Sequence, residues 1–378
     1  MVQRLTRERF FEMDKAGKIR RVRVKLGRRS YWIHIGSLKR LAVELERATS
    51  GRGTLLITDA NVEKSGVVDD VLEYLSSASE LGLIVLKPGE RTKTLGAVED
   101  ITSFAARHNY DRKSCFVALS GGVGGDLTGF AAGIYKRGIG FVQIPTTLLA
   151  MVDSSVGGKT GADLPEGKNL VGLFHQPSAV FIDPEFLRTL PACEWRNGLA
   201  EVIKYGVIRD GEFFEYLWAN RKRLNRRGAD TDLLGYIIER CVTIKAEVVA
   251  ADECESGVRA ILNYGHTFGH ALEQLSGFKL AHGSAVAIGM ALAGRLACDL
   301  GIFDCALAAK AEDLLKAVGL PVAIPAGYAA ADIVEAMKGD KKNEGGHIRL
   351  VLPEALGRVR ITSEVAEEKL LEFLKREV

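Results

Sequence analysis

Three of the seven histidines in the chain, His266, His270 and His282, fall within one short stretch of sequence. His266 and His270 have the i, i+4 spacing that places two imidazoles on one face of a helix, as in zinc proteases. Thr267 replaces the glutamate that such a protease uses as its general base, which argues against proteolysis. His282 and Glu201 could complete a three-ligand site for a divalent metal with one open position.

Two simpler interpretations compete with this metal site. A single histidine on a helix is more often a satisfied core residue than a metal ligand. Glu201 and Lys204 have the i, i+3 spacing of a surface ion pair, so the glutamate need not face a metal. The clustering of the histidines nevertheless favours a metal centre.

A polar stripe leads into the histidines. Arg259, Asn263, His266 and His270 are spaced by four, three and four residues, so on a continuous helix they would share one face. Polar side chains at the spacing of a buried face indicate a binding function rather than core packing.

A glycine-rich turn indicates a second site. The apolar residues 115–119 predict a strand, and Gly121-Gly-Val-Gly-Gly-Asp126 then leads into a helical pattern. The backbone N–H groups of such a turn, at a helix N-terminus, can bind a pyrophosphate. The spacing is not that of the dinucleotide-binding fingerprint, because Leu127 stands where a glycine or alanine belongs. A tight turn without a ligand is the alternative.

Polar residues also follow two other predicted strands. Asp59 stands where a carboxylate can bind a ribose, although Asp59 or Asn61 could simply cap the next helix. Residues 88–93 follow a strand predicted at 83–86, and there an anion or hydroxyl site competes with a plain turn.

Gly157-Gly-Lys-Thr160 resembles the end of a Walker A phosphate loop. That motif requires a glycine five positions before Gly158, where Asp153 stands, so a nucleoside triphosphatase is excluded. The segment still concentrates polar side chains among glycines, with lysines that suit phosphates. These residues are Asp153, Ser154, Ser155, Lys159, Lys168 and Asn169. A flexible surface loop is the alternative.

The elements that must position these residues change character along the chain. Alternating basic and apolar residues over 21–35 predict a hairpin with one solvated face. Apolar runs of strand length then alternate with helical patterns, at 54–58, 83–86, 115–119, 140–144 and 179–182. Beyond Pro184 helical periodicity dominates, with a strand candidate at 348–352.

This order predicts two domains. Residues 1–183 form an α/β N-terminal domain, a Rossmann-like parallel sheet with an N-terminal β-hairpin. Residues 184–378 form a mainly α-helical C-terminal domain.

Composition narrows the class of protein. The chain has 378 residues, 47% of them hydrophobic and 26% charged, as expected for a globular protein of about two or three domains. A net charge of +3 indicates neither a nucleic-acid nor a membrane partner. The six cysteines contain no C-x-x-C pair, which predicts neither a disulfide framework nor a zinc ribbon. Residues 1–18 lack the apolar core of a secretory signal, so a soluble, cytoplasmic protein is predicted.

Ordered motifs cover nearly the whole chain from about Val22 onward. They lie at residues 88–90, 121–130, 145–150, 152–161, 167–170, 200–206, 262–270 and 340–342. Together they resemble the 3-dehydroquinate synthases of the shikimate pathway, within the wider sugar-phosphate cyclases. The leader, residues 1–18, departs from the family pattern.

The resemblance implies roles for individual residues. The divalent metal, zinc or cobalt, is implied to bind Glu201, His266 and His282. Contacts to NAD are implied for Asp59, Asn61, Pro88, Gly89, Glu90, Lys93, Gly122, Val123, Gly124, Gly125, Asp126, Thr146, Thr147, Lys159, Lys168, Phe186, Leu187, Arg188 and Thr189. Substrate binding and catalysis are implied for Asp153, Lys159, Asn169, Lys204, Lys245, Glu255, Arg259, Asn263, His270 and Lys341. Members of the family are homodimers in which an arginine, here Arg137, reaches the neighbouring site.

The implied reaction converts 3-deoxy-D-arabino-heptulosonate 7-phosphate to 3-dehydroquinate by transient oxidation, phosphate elimination, re-reduction and aldol closure. Lys245 and Arg259 would bind the substrate carboxylate. One alternative is a sister cyclase that acts on sedoheptulose 7-phosphate or glucose 6-phosphate, which lack that carboxylate. Another is a metal-dependent polyol dehydrogenase of similar fold.

Overall fold

The computed structural model describes residues 18–225, 230–339 and 348–378 of the chain. The strands are β1 Arg20–Val24, β2 Tyr31–Ile35, β3 Gly53–Asp59, β4 Glu80–Leu86, β5 Cys115–Ser120, β6 Gly140–Pro145, β7 Lys159–Leu164, β8 Gly167–Phe174, β9 Ala179–Ile182, β10 Leu350–Ala355 and β11 Arg358–Thr362. The α-helices are α1 Leu38–Thr49, α2 Ala60–Lys64, α3 Val67–Tyr74, α4 Leu95–Arg107, α5 Gly122–Ile134, α6 Ala192–Arg209, α7 Gly211–Leu224, α8 Thr231–Ala251, α9 His266–Leu275, α10 His282–Asp299, α11 Cys305–Ala317, α12 Ala330–Lys338 and α13 Glu367–Glu377. Short 3-10 helices lie at Gly27–Arg29, Glu90–Thr92, Tyr135–Arg137, Pro184–Thr189 and Val258–Asn263, and a π-helical turn lies at Ala150–Ser154.

Seven strands form one sheet in the order β1, β2, β9, β6, β5, β3, β4. β1 and β2 are an antiparallel hairpin, and every other neighbouring pair in this sheet is parallel. Starting from β3, the chain adds β4 on one side and then β5, β6 and β9 on the other. The direction of addition therefore reverses between β3 and β5. Ligands of open parallel sheets bind at such a reversal, beyond the carboxyl ends of the strands.

Side chains that alternate along the strands fill two layers on opposite faces of the sheet. Leu55 and Ile57 of β3 are buried with residues of α4 and α5, whereas Leu56 is buried with residues of α1 and α3. All residues of β5 are buried, because helices cover both faces at the middle of the sheet. This double coverage is why these strands are continuous apolar runs in the sequence.

Helices α6, α9 and α10 form the centre of the helical part. Every residue of α6 from Asn197 to Ile208 is buried. A Cβ on Gly283 of α10 would lie 2.4 Å from the Cα of Asn197, and one on Gly289 would lie 1.9 Å from the carbonyl oxygen of Gly265. Glycine at these positions therefore lets the helices approach closely enough for polar side chains on all three to meet.

The strands β7 and β8 form an antiparallel hairpin outside the main sheet, where the sequence indicated a binding segment or a flexible loop and no strands. Most of β8 is partly or fully exposed and glycines interrupt both strands, so the apolar alternation that reveals a strand is weak. At Gly172 a Cβ would lie 2.1 Å from the carbonyl oxygen of Thr160. The two strands can therefore pair at this distance only with glycine at that position.

The predicted fold class is confirmed. The N-terminal hairpin, the five parallel strands and the helical part all form. The strand candidate at 348–352 corresponds to β10, which pairs with the unpredicted β11. The domain boundary at Asp183 stays a prediction. Within the described ranges, no helix has both the length and the apolar character needed to cross a membrane.

One disulfide joins Cys298, near the end of α10, to Cys305, at the start of α11. The spacing of the cysteines did not predict this pair. Only the turn between two antiparallel helices brings the two Cα atoms to 5.2 Å, within the range that a disulfide can bridge. The remaining cysteines are free, with Cys115 and Cys241 buried and Cys193 and Cys254 exposed.

Candidate active site

Glu201 of α6, His266 of α9 and His282 of α10 direct ligand atoms to one place. Oε1 of Glu201 lies 3.5 Å from Nε2 of His266 and 3.5 Å from Nε2 of His282. The three ligand atoms all lie within 4.8 Å of one another. One carboxylate oxygen and two imidazole nitrogens are a known ligand set for zinc, and they leave a position open for a substrate.

The surroundings of Glu201 fit a cation. Its side chain is fully buried, and Oε1 accepts no hydrogen bond from the part of the chain that the structure describes. A buried carboxylate oxygen without a donor is unfavourable unless a cation compensates it. Glu201 and Lys204 do form an ion pair through the other oxygen, but the pair is buried and not on the surface.

The backbone fixes the orientation of the His266 ring. Gly265, with φ of 79°, precedes the helix, and the Nδ1 of His266 lies 3.1 Å from the carbonyl oxygen of Tyr264. A carbonyl can only accept, so the ring N–H donates there and Nε2 keeps its lone pair for a metal. The continuous helical stripe considered from the sequence does not form, because the 3-10 helix that carries Arg259 ends at Asn263.

His270 lies beside this cluster. Its ring centroid is 5.3 Å from that of His266 and 6.4 Å from that of His282. Together with Glu273 and His282 it forms a second group of possible ligand atoms within 4.8 Å of one another. The two groups share His282.

Asp153 is the centre of a second cluster, next to the first. It lies in the π-helical turn Ala150–Ser154, a type of turn that often occurs at functional sites. Its Oδ1 accepts hydrogen bonds from Lys245 Nζ (2.8 Å) and from the Tyr205 hydroxyl (2.5 Å), and Lys204 Nζ lies 4.0 Å away. Burial opposes ionisation, but the ammonium groups of Lys245 and Lys204 hold the pKa of Asp153 well below its usual value.

The pKa of Lys245, a second lysine of this cluster, is shifted toward neutral pH. Burial lowers its pKa to about 8, and the nearby charges of Arg259 and Lys204 contribute, while Asp153 opposes the shift. Its charge therefore changes close to neutral pH, which is unusual for a lysine.

A third cluster joins the β7 strand to the loop that precedes the 3-10 helix Val258–Asn263. Lys159 forms an ion pair with Glu255, and Asn263 Nδ2 donates to Glu255 Oε1 over 3.1 Å. Glu255 has a φ of 59°, a conformation that non-glycine residues adopt at a cost and mainly at functional positions. The guanidinium of Arg259 is buried and donates to the carbonyl oxygens of Gly157 and Glu253.

The carboxyl ends of the parallel strands carry the other predicted residues. The hydroxyl of Ser120, at the end of β5, donates to Oδ2 of Asp59, at the end of β3, over 2.9 Å. This bond spans the place where the strand order reverses. The other oxygen of Asp59, Oδ1, caps the N-terminus of α2. The helix cap considered from the sequence therefore forms, but it uses only one of the two carboxylate oxygens. The helix α5 begins there at Gly122.

Two of the loop glycines are required by packing. A Cβ on Gly124 would lie 2.4 Å from the Ser120 hydroxyl, and one on Gly125 would lie 2.7 Å from Oε1 of Gln143. Glycine there lets the first turn of α5 rest directly on β5 and β6, leaving its N-terminus at the sheet edge. The rest of this edge consists of Val123, Asp126, Thr146 and Thr147, with the 3-10 helix Pro184–Thr189 following β9.

Lys93 links the sheet edge to the β7–β8 hairpin. Its Nζ donates to Asp126 Oδ2 (2.6 Å) and Asn169 Oδ1 (2.5 Å). Burial alone would lower the pKa of Lys93, but the carboxylates of Asp126, Glu90 and Asp163 raise it above the ordinary value. Lys168 lies 3.6 Å from Glu90. Pro88, Gly89 and Asn61 are exposed beside this edge.

Two predicted residues remain outside these clusters. Lys341 lies outside the described residues. Arg137 is exposed at the end of the 3-10 helix Tyr135–Arg137, with a φ of 67°.

Two models of one protein family match adjacent parts of the chain. The 3-dehydroquinate synthase N-terminal model matches residues 83–197, and the C-terminal model matches residues 198–343. The chain belongs to the 3-dehydroquinate synthase family. The 3-dehydroquinate synthase of Synechococcus is 48% identical over 359 residues, which are 93% of this chain and 97% of that protein.

Two solved structures resemble this member of the 3-dehydroquinate synthase family. One is ValA, the 2-epi-5-epi-valiolone synthase of Streptomyces hygroscopicus with NAD⁺ and Zn²⁺ bound, at 30% identity and a TM-score of 0.82, covering 92% of this chain and 96% of that one. The other is 2-deoxy-scyllo-inosose synthase complexed with carbaglucose-6-phosphate, NAD⁺ and Co²⁺, at 26% identity and a TM-score of 0.85, covering 95% and 100%.

Two residues of this 3-dehydroquinate synthase family member contact the candidate site and were not predicted. Tyr205 donates to Asp153, and Glu273 contacts His282. Tyr205 follows Lys204 in a continuous apolar helix, where a tyrosine suggests only core packing. The sequence contains a signal for Glu273, which lies three residues after His270 and therefore on the same helix face.

Proposed function

We propose that the chain is a 3-dehydroquinate synthase, which converts 3-deoxy-D-arabino-heptulosonate 7-phosphate to 3-dehydroquinate and phosphate. The observation that carries the proposal is the 48% identity to the Synechococcus 3-dehydroquinate synthase across 97% of that protein. The enzyme would be a carbon–oxygen lyase of the shikimate pathway and so of aromatic amino acid biosynthesis, because phosphate leaves by β-elimination.

Glu201, His266 and His282 would hold one divalent metal, zinc or cobalt. The unsatisfied Oε1 of Glu201 and the orientation of His266 by Tyr264 fit this role. When bound, the metal would polarise the substrate oxygens that take part in the reaction. Lys204 would keep Glu201 ionised and aimed at the metal position, since its ammonium group is paired with the same carboxylate.

NAD would bind where the strand order reverses. The N-terminus of α5 would face its pyrophosphate, and Asp59 would accept from a ribose hydroxyl. Other implied contacts are at the same sheet edge or beside it, namely Asn61, Pro88 to Glu90, Lys93, Thr146, Thr147 and Phe186 to Thr189. Lys159 and Lys168 would join from the β7–β8 hairpin. When bound, NAD would supply a reversible hydride transfer at a substrate alcohol, so that no net oxidation results.

Cationic side chains surround the space between the two sites and suit an anionic substrate. Lys245 and Arg259 would bind the carboxylate, because both are buried and positively charged near neutral pH. Asp153, held ionised by Lys245 and Lys204, would accept from a substrate hydroxyl. Glu255 would exchange its contacts with Lys159 and Asn263 for contacts to the substrate, and Asn169 would join from the β8 strand.

Lys159, Asn263, His270 and Lys341 would hold the phosphate group. In the elimination, a phosphate oxygen would take the proton from the carbon next to the ketone, and the C–O bond to phosphate would break as the C=C bond forms. The protein side chains would then act by fixing the phosphate over that proton, and none of them needs to serve as the base.

The assembly and location are part of the proposal. A homodimer would let Arg137 reach the neighbouring site, which agrees with its exposed position beyond α5. We place the protein in the cytoplasm, with an NAD-binding domain over residues 1–183 and a metal- and substrate-binding domain over residues 184–378.

The experiment that tests the function is phosphate release from the heptulosonate phosphate with a trace of NAD. We expect many turnovers per NAD and no accumulation of NADH absorbance at 340 nm. Accumulation of one NADH per turnover would identify a polyol dehydrogenase instead. Turnover of sedoheptulose 7-phosphate at a comparable rate would identify a sister cyclase.

A further inference from the structure

The ring of His282 lies between two carboxylates. Its Nε2 faces Oε1 of Glu201 at 3.5 Å, and its Nδ1 faces Oε1 of Glu273 at 3.4 Å. Glu273 is 5% exposed, whereas the His282 side chain is 31% exposed, so the carboxylate end of the contact is the buried one. The two nitrogens of one imidazole therefore have different neighbours, one in the proposed metal site and one behind it.

The sequence explains why Glu273 is there. His266, His270 and Glu273 follow one another at i, i+4 and i+7 on α9, so all three lie on the helix face that meets α10. A Cβ on Gly269, on the same helix, would lie 3.1 Å from the backbone of Ala285, which shows how closely α9 and α10 approach. A glutamate at this position must therefore be buried against the first turn of α10, where His282 stands.

We propose that Glu273 is a positioning residue that fixes the orientation and tautomer of His282 for metal binding. A carboxylate can only accept, so it holds the proton of the ring on Nδ1 and leaves the Nε2 lone pair directed at the metal position. Carboxylates behind metal-bound histidines also increase the basicity of the ligand. The inference rests on the proposed metal site.

His266 provides an internal comparison. Its Nδ1 faces the carbonyl oxygen of Tyr264 at 3.1 Å, so each histidine ligand has its own acceptor behind it. One acceptor is a neutral backbone carbonyl, and the other is a charged side chain that mutation can remove. The two histidines should therefore respond differently when Glu273 is changed.

A competing use of the same atoms is a second metal ion. His270, Glu273 and His282 have ligand atoms within 4.8 Å of one another. Such an ion would occupy Nδ1 of His282, which cannot at the same time donate a hydrogen bond to Glu273. We favour the hydrogen bond over a second metal ion. A neutral imidazole that donates from Nδ1 keeps the lone pair of Nε2 for the first metal.

The test measures zinc affinity by chelator competition, without NAD or substrate, for the native protein and for Glu273→Ala, Glu273→Gln and Glu312→Gln. Glu312 is a matched control, a largely buried carboxylate that pairs with Arg295 and belongs to neither group of possible metal ligands. We expect Glu273→Ala to weaken zinc binding by about 10- to 100-fold, with one zinc per chain retained. Glu273→Gln, whose amide oxygen still accepts, should recover most of this loss, and Glu312→Gln should bind like the native protein.

A spectroscopic measurement separates positioning from general damage to the fold. In the Co²⁺-loaded native protein, the ring N–H protons of His266 and His282 should give two hyperfine-shifted exchangeable NMR signals. In Glu273→Ala only the signal of His282 should broaden through faster exchange with water, and the signal of His266 should persist. Equal loss of both signals, or a zinc affinity unchanged in Glu273→Ala, would overturn the inference.

The stoichiometry decides between one metal and two. Two zinc ions in the native protein and one in Glu273→Ala would establish the second-metal alternative and reject the positioning role. If the native protein binds no zinc, or His282→Ala binds it as the native protein does, the proposed metal site itself fails. A third outcome rejects only the inference about Glu273. In that case the native protein binds zinc, His282→Ala abolishes the binding, and Glu273→Ala leaves it unchanged.

Discussion

The hydroxyl of Tyr205 donates a hydrogen bond of 2.5 Å to Oδ1 of Asp153, the oxygen that also receives Lys245 Nζ at 2.8 Å. Tyr205 and Lys204 are consecutive residues of α6, so one helix approaches Asp153 with both a hydroxyl and an ammonium group. Asp153 lies in a π-helical turn, and these donors fix its carboxylate in one orientation. A fixed carboxylate can bind a substrate hydroxyl without reorganising first.

Tyr205→Phe should therefore lower activity while the protein remains folded. The ring still fills its place, but Asp153 loses a donor, and we expect kcat/KM to fall by about tenfold and the free energy of unfolding by about 1–3 kcal/mol. Tyr110→Phe is the matched control, since the buried Tyr110 hydroxyl donates to the carbonyl oxygen of Thr54 over 3.3 Å at the start of β3, the end opposite Asp59. Enzyme kinetics and urea unfolding of both variants test this. Equal kinetic effects in the two variants would contradict a specific role for Tyr205.

His282→Ala and His270→Ala should separate metal binding from phosphate binding. His282 shares the close cluster with Glu201, so its loss should remove both bound zinc and activity. His270→Ala should keep its zinc and lose phosphate release, because we assign His270 to the substrate. Metal analysis of the purified variants measures the first property and a phosphate assay measures the second. A full equivalent of zinc in His282→Ala would disprove the assignment.

Arg259→Ala should weaken substrate binding with little effect on NAD or metal binding. Loss of a buried cationic partner for a carboxylate costs on the order of 2–5 kcal/mol, so the KM for the heptulosonate phosphate should rise steeply. Because the guanidinium also donates to the carbonyl oxygen of Gly157, some loss of stability should accompany this change. NAD titration and zinc content serve as controls. An unchanged KM would show that another residue binds the carboxylate.

The pH dependence of kcat/KM should contain a basic limb set by Lys245. Its pKa of about 8 means that the side chain is cationic below pH 8 and becomes neutral above it. A neutral amine attracts the substrate carboxylate less, so kcat/KM should fall about tenfold per pH unit well above pH 8. The bound carboxylate raises the pKa of Lys245, so kcat should fall only at higher pH. Lys245→Arg, which stays charged, should lack this limb.

Thiol titration should reveal the disulfide between Cys298 and Cys305. In protein purified without reductant, the exposed Cys193 and Cys254 should react rapidly, and the two buried free cysteines only after unfolding. Reduction should expose two more thiols and lower the free energy of unfolding by about 2–3 kcal/mol, as expected for a short closed loop. Cys305→Ser should match the reduced protein. Six reactive thiols in the unreduced, unfolded protein would show that this bond does not form.

How much the sequence predicts depends on how each residue is buried. The strands of the main sheet are predictable because helices cover both faces, which requires continuous apolar runs such as Cys115–Ser120. The β7–β8 hairpin is not predictable in this way, because no residue of β8 is fully buried and Gly172 occupies a point of close backbone contact. Apolar periodicity contains no information about such a contact.

The candidate site also contains residues that the sequence predicts and residues that it does not. His266 and His282 attract attention because histidines are rare in the chain and close in sequence. Glu201 is one candidate metal ligand in the sequence, because its i, i+3 pair with Lys204 is also consistent with a surface, and the resemblance implies its assignment to the metal. Only the tertiary structure shows that this pair is fully buried and that Tyr205 and Glu273 reach the site from the same helices. Positions in space between separate helices cannot be derived from spacing along one of them.

The position of the N-terminal hairpin in the sheet affects the order in which the protein can form during synthesis. Among the described strands, β2 pairs only with β1 and β9. Trp32 to Ile35 can therefore join the parallel sheet only after Ala179 to Ile182 have left the ribosome. Until then the backbone edge of β2 that pairs with β9 stays open in the growing chain. The hairpin therefore joins the sheet late although it precedes the other strands in the sequence, and contacts of such long sequence separation favour slow folding.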